Sequence, residues 1–308
     1  MDFTIVDAHS HLWLKQDTEL NGQPVKSLQG GQSLFMGSVR QMMPPYMTDG
    51  CNNAEMFLAN MNYARVSAAV VTQEYLDGDQ NDYLQHVQEK YPNRFFCCGL
   101  VDVRKPNAFE QGKLLIERGF KAIKLPAEKM ITSTQRYMLN TPELMQMYAL
   151  MEQKGIILSI DLAEGDTQIA EMQEIIQAYP NLKVALGHFG MVNRAGWEHQ
   201  LKLALNKNVM IESGGITWLF HNEFYPYKGA VEAIRKAADT VGIEKLMWGS
   251  DYPRTMVAIT YTMSYNFLFG SKLLNDNELR LFLGQNAIDF YGLKNLEKLP
   301  YVKNMVED

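Results

Sequence analysis

Short apolar runs alternate with longer amphipathic segments along the whole chain. Eight runs predict strands: Phe3–Ala8, Ala68–Gln73, Phe95–Val101, Ala122–Leu125, Gly155–Asp161, Lys183–His188, Val209–Ser213 and Lys245–Ser250. Most are continuously apolar, the pattern of parallel strands covered on both faces. Helical segments fill the gaps. Thr141-Pro142-Glu143 supplies an N-cap, a first-turn proline and an acid; Leu144, Met147, Tyr148 and Met151 follow at helical spacing, and Gly155 ends the run. Strand–helix alternation repeated eight times predicts an α/β fold, a single (β/α)8 barrel domain over residues 1–308. A doubly wound open sheet is the alternative, but no G-x-G-x-x-G follows the first strand and no G-x-x-x-x-G-K-[ST] occurs. One long irregular stretch, about residues 13–52, interrupts the pattern directly after the first strand and carries GGQ, PP and TDG turn signals. A loop this long is expected to be functional, here as a lid over the barrel mouth.

Composition narrows the picture. The 308 residues would suit two average domains or one large barrel. With 46% hydrophobic and 21% charged residues, long disorder is excluded. The net charge of −6 and the lack of a basic block argue against nucleic acid or an anionic membrane as partner. No apolar run approaches the roughly 18 residues of a membrane span, and none resembles a signal peptide, so a cytoplasmic protein is expected. Of three cysteines, Cys97 and Cys98 are adjacent within a predicted buried strand, which suggests neither a disulfide framework nor a reactive thiol. Most of the 19 methionines fall in helix stripes, but Met36, Met42, Met43 and Met47 lie in the first loop and could form an adaptable apolar underside.

Reactive groups of such barrels collect where strands end. Reading those ends gives His9 and His11, Gln73, Asp102, Lys124, Asp161, His188, Ser213 and Asp251. In an extended strand residues i and i+2 point the same way, so His9 and His11 face one side, and two neutral imidazoles suit a divalent transition metal. Taken singly, each has a plainer reading. His-x-His could be structural, His188 in ALGHFG a core histidine, and Asp251 in MWGSDYP a helix cap. Their joint placement favours a site. Lys124 reads as a contact to a substrate carboxylate or as a surface salt-bridge lysine. Arg40, in the first loop, reads as a bidentate carboxylate ligand or a solvated residue. His221, near Trp218, Phe220 and Tyr225, could line a pocket, whereas His86 and His199 are expected to face solvent.

IVDAHSH, ALGHFG, MWGSDYP and NAIDFYGL, in this order, resemble the amidohydrolase superfamily, in particular its amidohydrolase-related branch of decarboxylases and lactonases. The resemblance implies a TIM barrel of metal-dependent hydrolase type. It makes His9 and His11 metal ligands, and Asp251 a ligand or the group that moves the proton of the attacking water. His188 becomes a ligand or a catalytic, oxyanion-stabilising group. One departure stands out: where many metal-dependent members end strand five with histidine, this chain has Ser159-Ile160-Asp161. Asp161 could still ligate a hard cation, although the pattern resembles lactonases, some of which work without metal. The missing histidine also disfavours two metals bridged by a carboxylated Lys124. The implied cofactor is one divalent ion, zinc before manganese, with a metal-free route open. The implied activity is water attack on a carbonyl of a small carboxylated or lactone-like substrate. A carboxy-lyase using the same site and an inactive binding protein are the alternatives, and a homodimer is common in the family.

Overall fold

The structure, a computed structural model, describes residues 3–131 and 136–307. In chain order it contains β1 (Ile5–His11), β2 (Asp17–Leu20), β3 (Gln23–Ser27), β4 (Gln32–Phe35), β5 (Ser38–Gln41), β6 (Val66–Thr72), β7 (Phe95–Cys97), β8 (Gly99–Leu100), β9 (Ala122–Leu125), β10 (Ile157–Ile160), β11 (Val184–Leu186), β12 (Val209–Glu212) and β13 (Leu246–Met247). All eight expected barrel strands form, several shorter than their apolar runs. The third is split at Cys98 into β7 and β8, and Cys98 still donates its N–H to the Val71 carbonyl at 2.9 Å.

Parallel pairing runs β1–β6–β7 and then β8–β9–β10–β11–β12–β13. The ring closes where Ala8 N–H meets the Trp248 carbonyl and His11 N–H the Tyr252 carbonyl, both at 2.8 Å. Closure leaves the parallel strands without a free edge. Helices cover the outside. The one from Pro142 to Lys154 starts as its sequence dictates: Thr141 accepts from Leu144 N–H, and Gly155 stops it at φ +66, a conformation that favours glycine. Among the described residues no helix is long and apolar enough to cross a membrane.

The stretch 13–52 is a correction to the expected irregular loop. It holds a four-stranded antiparallel sheet in the order β2–β3–β4–β5. The strands are too short to show convincing alternation, but Asn21-Gly22 and Met36-Gly37 both take two consecutive positive φ values (50 and 75, 48 and 78), the tight turn of a two-residue hairpin. Asn-Gly was therefore a readable hairpin signal. The first-loop methionines divide: Met43 and Met47 are buried against Trp13, Met42 packs partly against Leu20 and Tyr75, and Met36 is exposed.

β1 is irregular where it matters most. Asp7 pairs with Ala69 but Ser10 with Val71, so β1 advances three residues while β6 advances two. Val6 and Ala8 pack with Ala185, Met210 and Met247. Strict alternation would next turn Ser10 the same way. The extra residue resets the parity, so that His9 and His11 converge on the site while Ser10 bonds the Val70 carbonyl of the neighbouring strand at 2.8 Å.

Candidate active site

Six of the sequence-predicted residues meet at the C-terminal ends of the barrel strands, where β1, β9, β10, β11 and β13 run into their following loops. His9, His11, Lys124, Asp161 and Asp251 are buried, and His188 is partly exposed. His9 Nε2 and His11 Nε2 are 3.1 Å apart, and Asp251 Oδ1 lies 2.9 Å from the latter and 3.9 Å from the former. A second convergence joins His9, Asp161 and His188, with Asp161 Oδ2 3.9 Å from His188 Nε2.

The groups behind the imidazoles decide their chemistry. His9 Nδ1 is 2.6 Å from Glu212 Oε1, and His11 Nδ1 is 3.4 Å from Asp77 Oδ2. A nitrogen facing a carboxylate carries the proton, so His9 turns its Nε2 lone pair inward, whereas His11 stands between two carboxylates and bonds the nearer, Asp251, through Nε2. His9 Nε2, His11 Nε2 and Asp251 Oδ1 thus converge across 2.9–3.9 Å, with a single proton between the last two. Carboxylates that orient metal-binding histidines stand in this position. His188 repeats the pattern. Its Nδ1 donates to the Gly214 carbonyl at 2.8 Å, so Nε2 is an acceptor and would donate to an oxyanion only after gaining a proton.

Burial and charge set the ionisation states. Burial pushes His9 down to about 3 and also lowers His188, so both stay neutral. Burial alone would raise Asp251, but the His11 hydrogen bond and the Arg254 charge outweigh it and hold the carboxyl well below its usual range. Glu212 is pushed up to about 7 by burial. Lys124 is gripped by Asp161 at 2.6 Å and Glu74 at 3.6 Å; their charges outweigh burial and keep the ammonium protonated. Its partners divide: Lys124 overcomes burial at Asp161, whose carboxyl is held low, whereas burial wins at Glu74 and pushes it up.

Local backbone serves this geometry. His188 and Asp251 both sit at φ +57, the left-handed region that side-chain-bearing residues seldom occupy. Gly187 is required by close approach, because a Cβ there would run into the Asp161 carboxylate.

A family model described as Amidohydrolase matches residues 6–293. The chain belongs to the amidohydrolase family. Among its relatives, the uncharacterized protein y4mH of Sinorhizobium fredii is 26% identical over 288 residues, 86% of this chain and 90% of that one. Two solved structures share the fold. A probable 2-pyrone-4,6-dicarboxylic acid hydrolase from Acinetobacter baumannii, with citric acid bound, is 18% identical at a TM-score of 0.66, covering 94% of this chain and 99% of that one. An amidohydrolase from Burkholderia multivorans with bound zinc is 16% identical at a TM-score of 0.68, covering 94% and 100%.

Two predicted site residues of this amidohydrolase fall outside the cluster. Arg40 is exposed on β5, where Nε donates to Ser38 Oγ at 3.2 Å and the guanidinium lies over Phe35. The hairpin sheet holds it on its own surface. His221 is exposed too, bonded through Nδ1 to the Trp218 carbonyl at 2.9 Å. Lys124 is a buried rather than a surface lysine, ion-paired with Asp161 and Glu74. His86 and His199 face solvent as expected.

Sequence reading missed Glu212, Asp77, Arg254 and Trp218. Glu212 had a signal: a lone carboxylate closing the apolar strand Val209-Met210-Ile211 needs a buried partner. Asp77 and Arg254 form an ion pair at 2.6 Å that holds His11 on one side and Asp251 on the other, and no local pattern announces it. Trp218 Nε1 donates to Asp251 Oδ2 at 2.9 Å. Trp218→Phe keeps the apolar packing but deletes this bond. A net hydrogen bond of about 1–1.5 kcal/mol corresponds to a kcat reduced by roughly tenfold with KM little changed, which steady-state kinetics would show.

Proposed function

We propose that this amidohydrolase adds water to a carbonyl of a small carboxylated or lactone-like molecule, with ring opening of a lactone as its reference reaction. The observation that carries the reading is the convergence of two buried imidazole nitrogens and an ionised carboxylate at the barrel mouth. The cluster also fits a metal. Three buried ligand atoms face one another at close range, and the buried Asp161 Oδ1 has no hydrogen-bond partner. His9, His11 and Asp251 would hold one divalent ion, with His188 and Asp161 flanking it. Two nitrogens and an oxygen suit zinc, with manganese as the alternative. When bound, such an ion polarises a carbonyl and makes water more acidic.

The chain's own groups handle position and protons. Trp218 and the Arg254 charge fix the Asp251 carboxylate, which takes the proton of the attacking water as its oxygen bonds to the carbonyl carbon. The carbon–oxygen bond of the leaving group then breaks, and that oxygen recovers a proton from the acid so formed. His188 presents a neutral acceptor at Nε2; once protonated it becomes a donor able to stabilise the developing oxyanion.

Product analysis in H2(18)O tests the reading, with 2-pyrone-4,6-dicarboxylate as the first substrate. The expected result is a ring-opened acid carrying one labelled oxygen in its new carboxylate. Release of carbon dioxide with the ring intact would replace water attack by carboxy-lyase chemistry.

A further inference from the structure

Opposite the reaction site, at the end where the barrel strands begin, lies a cavity of about 420 Å³ between the starts of the strands and the segment 290–296. This volume is within the usual range for small-molecule sites. Its charge is one-sided: Arg94, Lys121, Lys183 and Lys294 line it and no carboxylate does, in a chain whose net charge is −6. Arg94, Lys121 and Lys183 each stand immediately before a barrel strand, namely β7, β9 and β11. The strand between the last two begins after Gly155, where a Cβ would meet nothing within 4 Å. Aromatic side chains complete the lining, with Phe96 against Tyr291 at 5.0 Å and Phe290 against Tyr291 at 5.1 Å between ring centroids.

Two cations are already committed. Arg94 donates to the Ser67 carbonyl and to Asn62 Oδ1, both at 2.8 Å, and Glu297 lies near it without lining the cavity. Lys183 Nζ donates to the Phe290 carbonyl at 2.8 Å. Lys121 and Lys294 are exposed and have no side-chain partner among the described residues. Offsetting a helix dipole does not account for Lys121 or Lys183. They follow the helices ending at Glu117 and Ala178 by several residues, and that effect fades beyond the last turn.

We propose that this basal cavity is a second ligand site, for a small organic anion with a flat apolar body. The aromatic wall takes the body, and Lys121 and Lys294 take the charge. Barrel core residues such as Ala68, Ala122, Ala185 and Met210 separate it from the reaction site.

Isothermal titration of the full chain with phthalate, using inorganic phosphate as a charge-only control, tests the assignment. Saturable one-to-one phthalate binding is expected, weaker for phosphate, and weakened at least about tenfold in K121E/K294E with ring-opening activity unchanged. The milder Lys121→Gln/Lys294→Gln pair should show the same direction, should the charge reversal disturb folding. Absence of saturable binding, phosphate binding as tight as phthalate, or phthalate binding indifferent to both pairs of substitutions would each overturn the site. Because the readout is binding, failure of the hydrolase reading leaves this result unaffected.

Discussion

Replacing Asp251 by asparagine should cut turnover about a thousandfold, within the 10²–10⁴ range that a positioned proton-transfer group supplies. The change is nearly isosteric, so the barrel should persist. The amide cannot take a proton from water, however, and its NH2 would face either the Trp218 N–H or the Arg254 guanidinium, donor against donor. His9→Ala should have an effect of similar size by a different route, removing the lone pair that Glu212 holds toward the site. Ring-opening rates measured beside near-ultraviolet circular dichroism separate lost chemistry from lost fold. Native-like spectra with turnover intact in either variant would remove these residues from the mechanism.

The second large effect concerns stability. Lys124→Met deletes the cation between Asp161 and Glu74 in the buried barrel mouth. Breaking a buried ion pair from one side typically costs about 3–5 kcal/mol, because the remaining charge is left unpaired. Asp161 fixes the pH dependence. Its carboxyl is held below the ordinary 3.8, so its contribution is present above that pH and is lost as pH falls through the depressed value. In the variant the unpaired carboxyl prefers its proton, so the gap between wild type and Lys124→Met should be widest near neutrality and narrow below pH 3.8. Urea unfolding at several pH values measures this. Lys124→Met/Asp161→Leu, which removes both charges, should recover much of the loss.

The barrel was legible because its signal is repetitive. Eight apolar runs each have a polar residue at or beside their end, and none depends on a distant contact to be recognised. The histidines and Asp251 were legible for the same reason: local strand geometry and the position of strand ends place them. What surrounds them was not. Glu212 acts on His9 across 203 positions of chain, and Asp77 meets Arg254 across 177. Such partners follow from which strand closes against which, and a single sequence states this only weakly. Arg40 lies outside the cluster for a local reason. Reading 13–52 as irregular left it free to swing toward the mouth, whereas the Asn21-Gly22 and Met36-Gly37 turns commit it to a hairpin surface. Lys124 sits between Asp161 and Glu74, buried partners from other strand ends that no local pattern announces.

The extra residue in β1 carries an evolutionary consequence. In a period-two element, losing one residue there exchanges the inward and outward faces of everything beyond it. Ser10 would then look into the mouth, and both imidazoles would point into the wall, while the apolar pairing that holds Val6 and Ala8 could remain. A barrel of this kind is thus one deletion away from silence without first passing through an unfolded ancestor. Selection for the reaction must act on chain length in β1 as strictly as on the two histidines themselves.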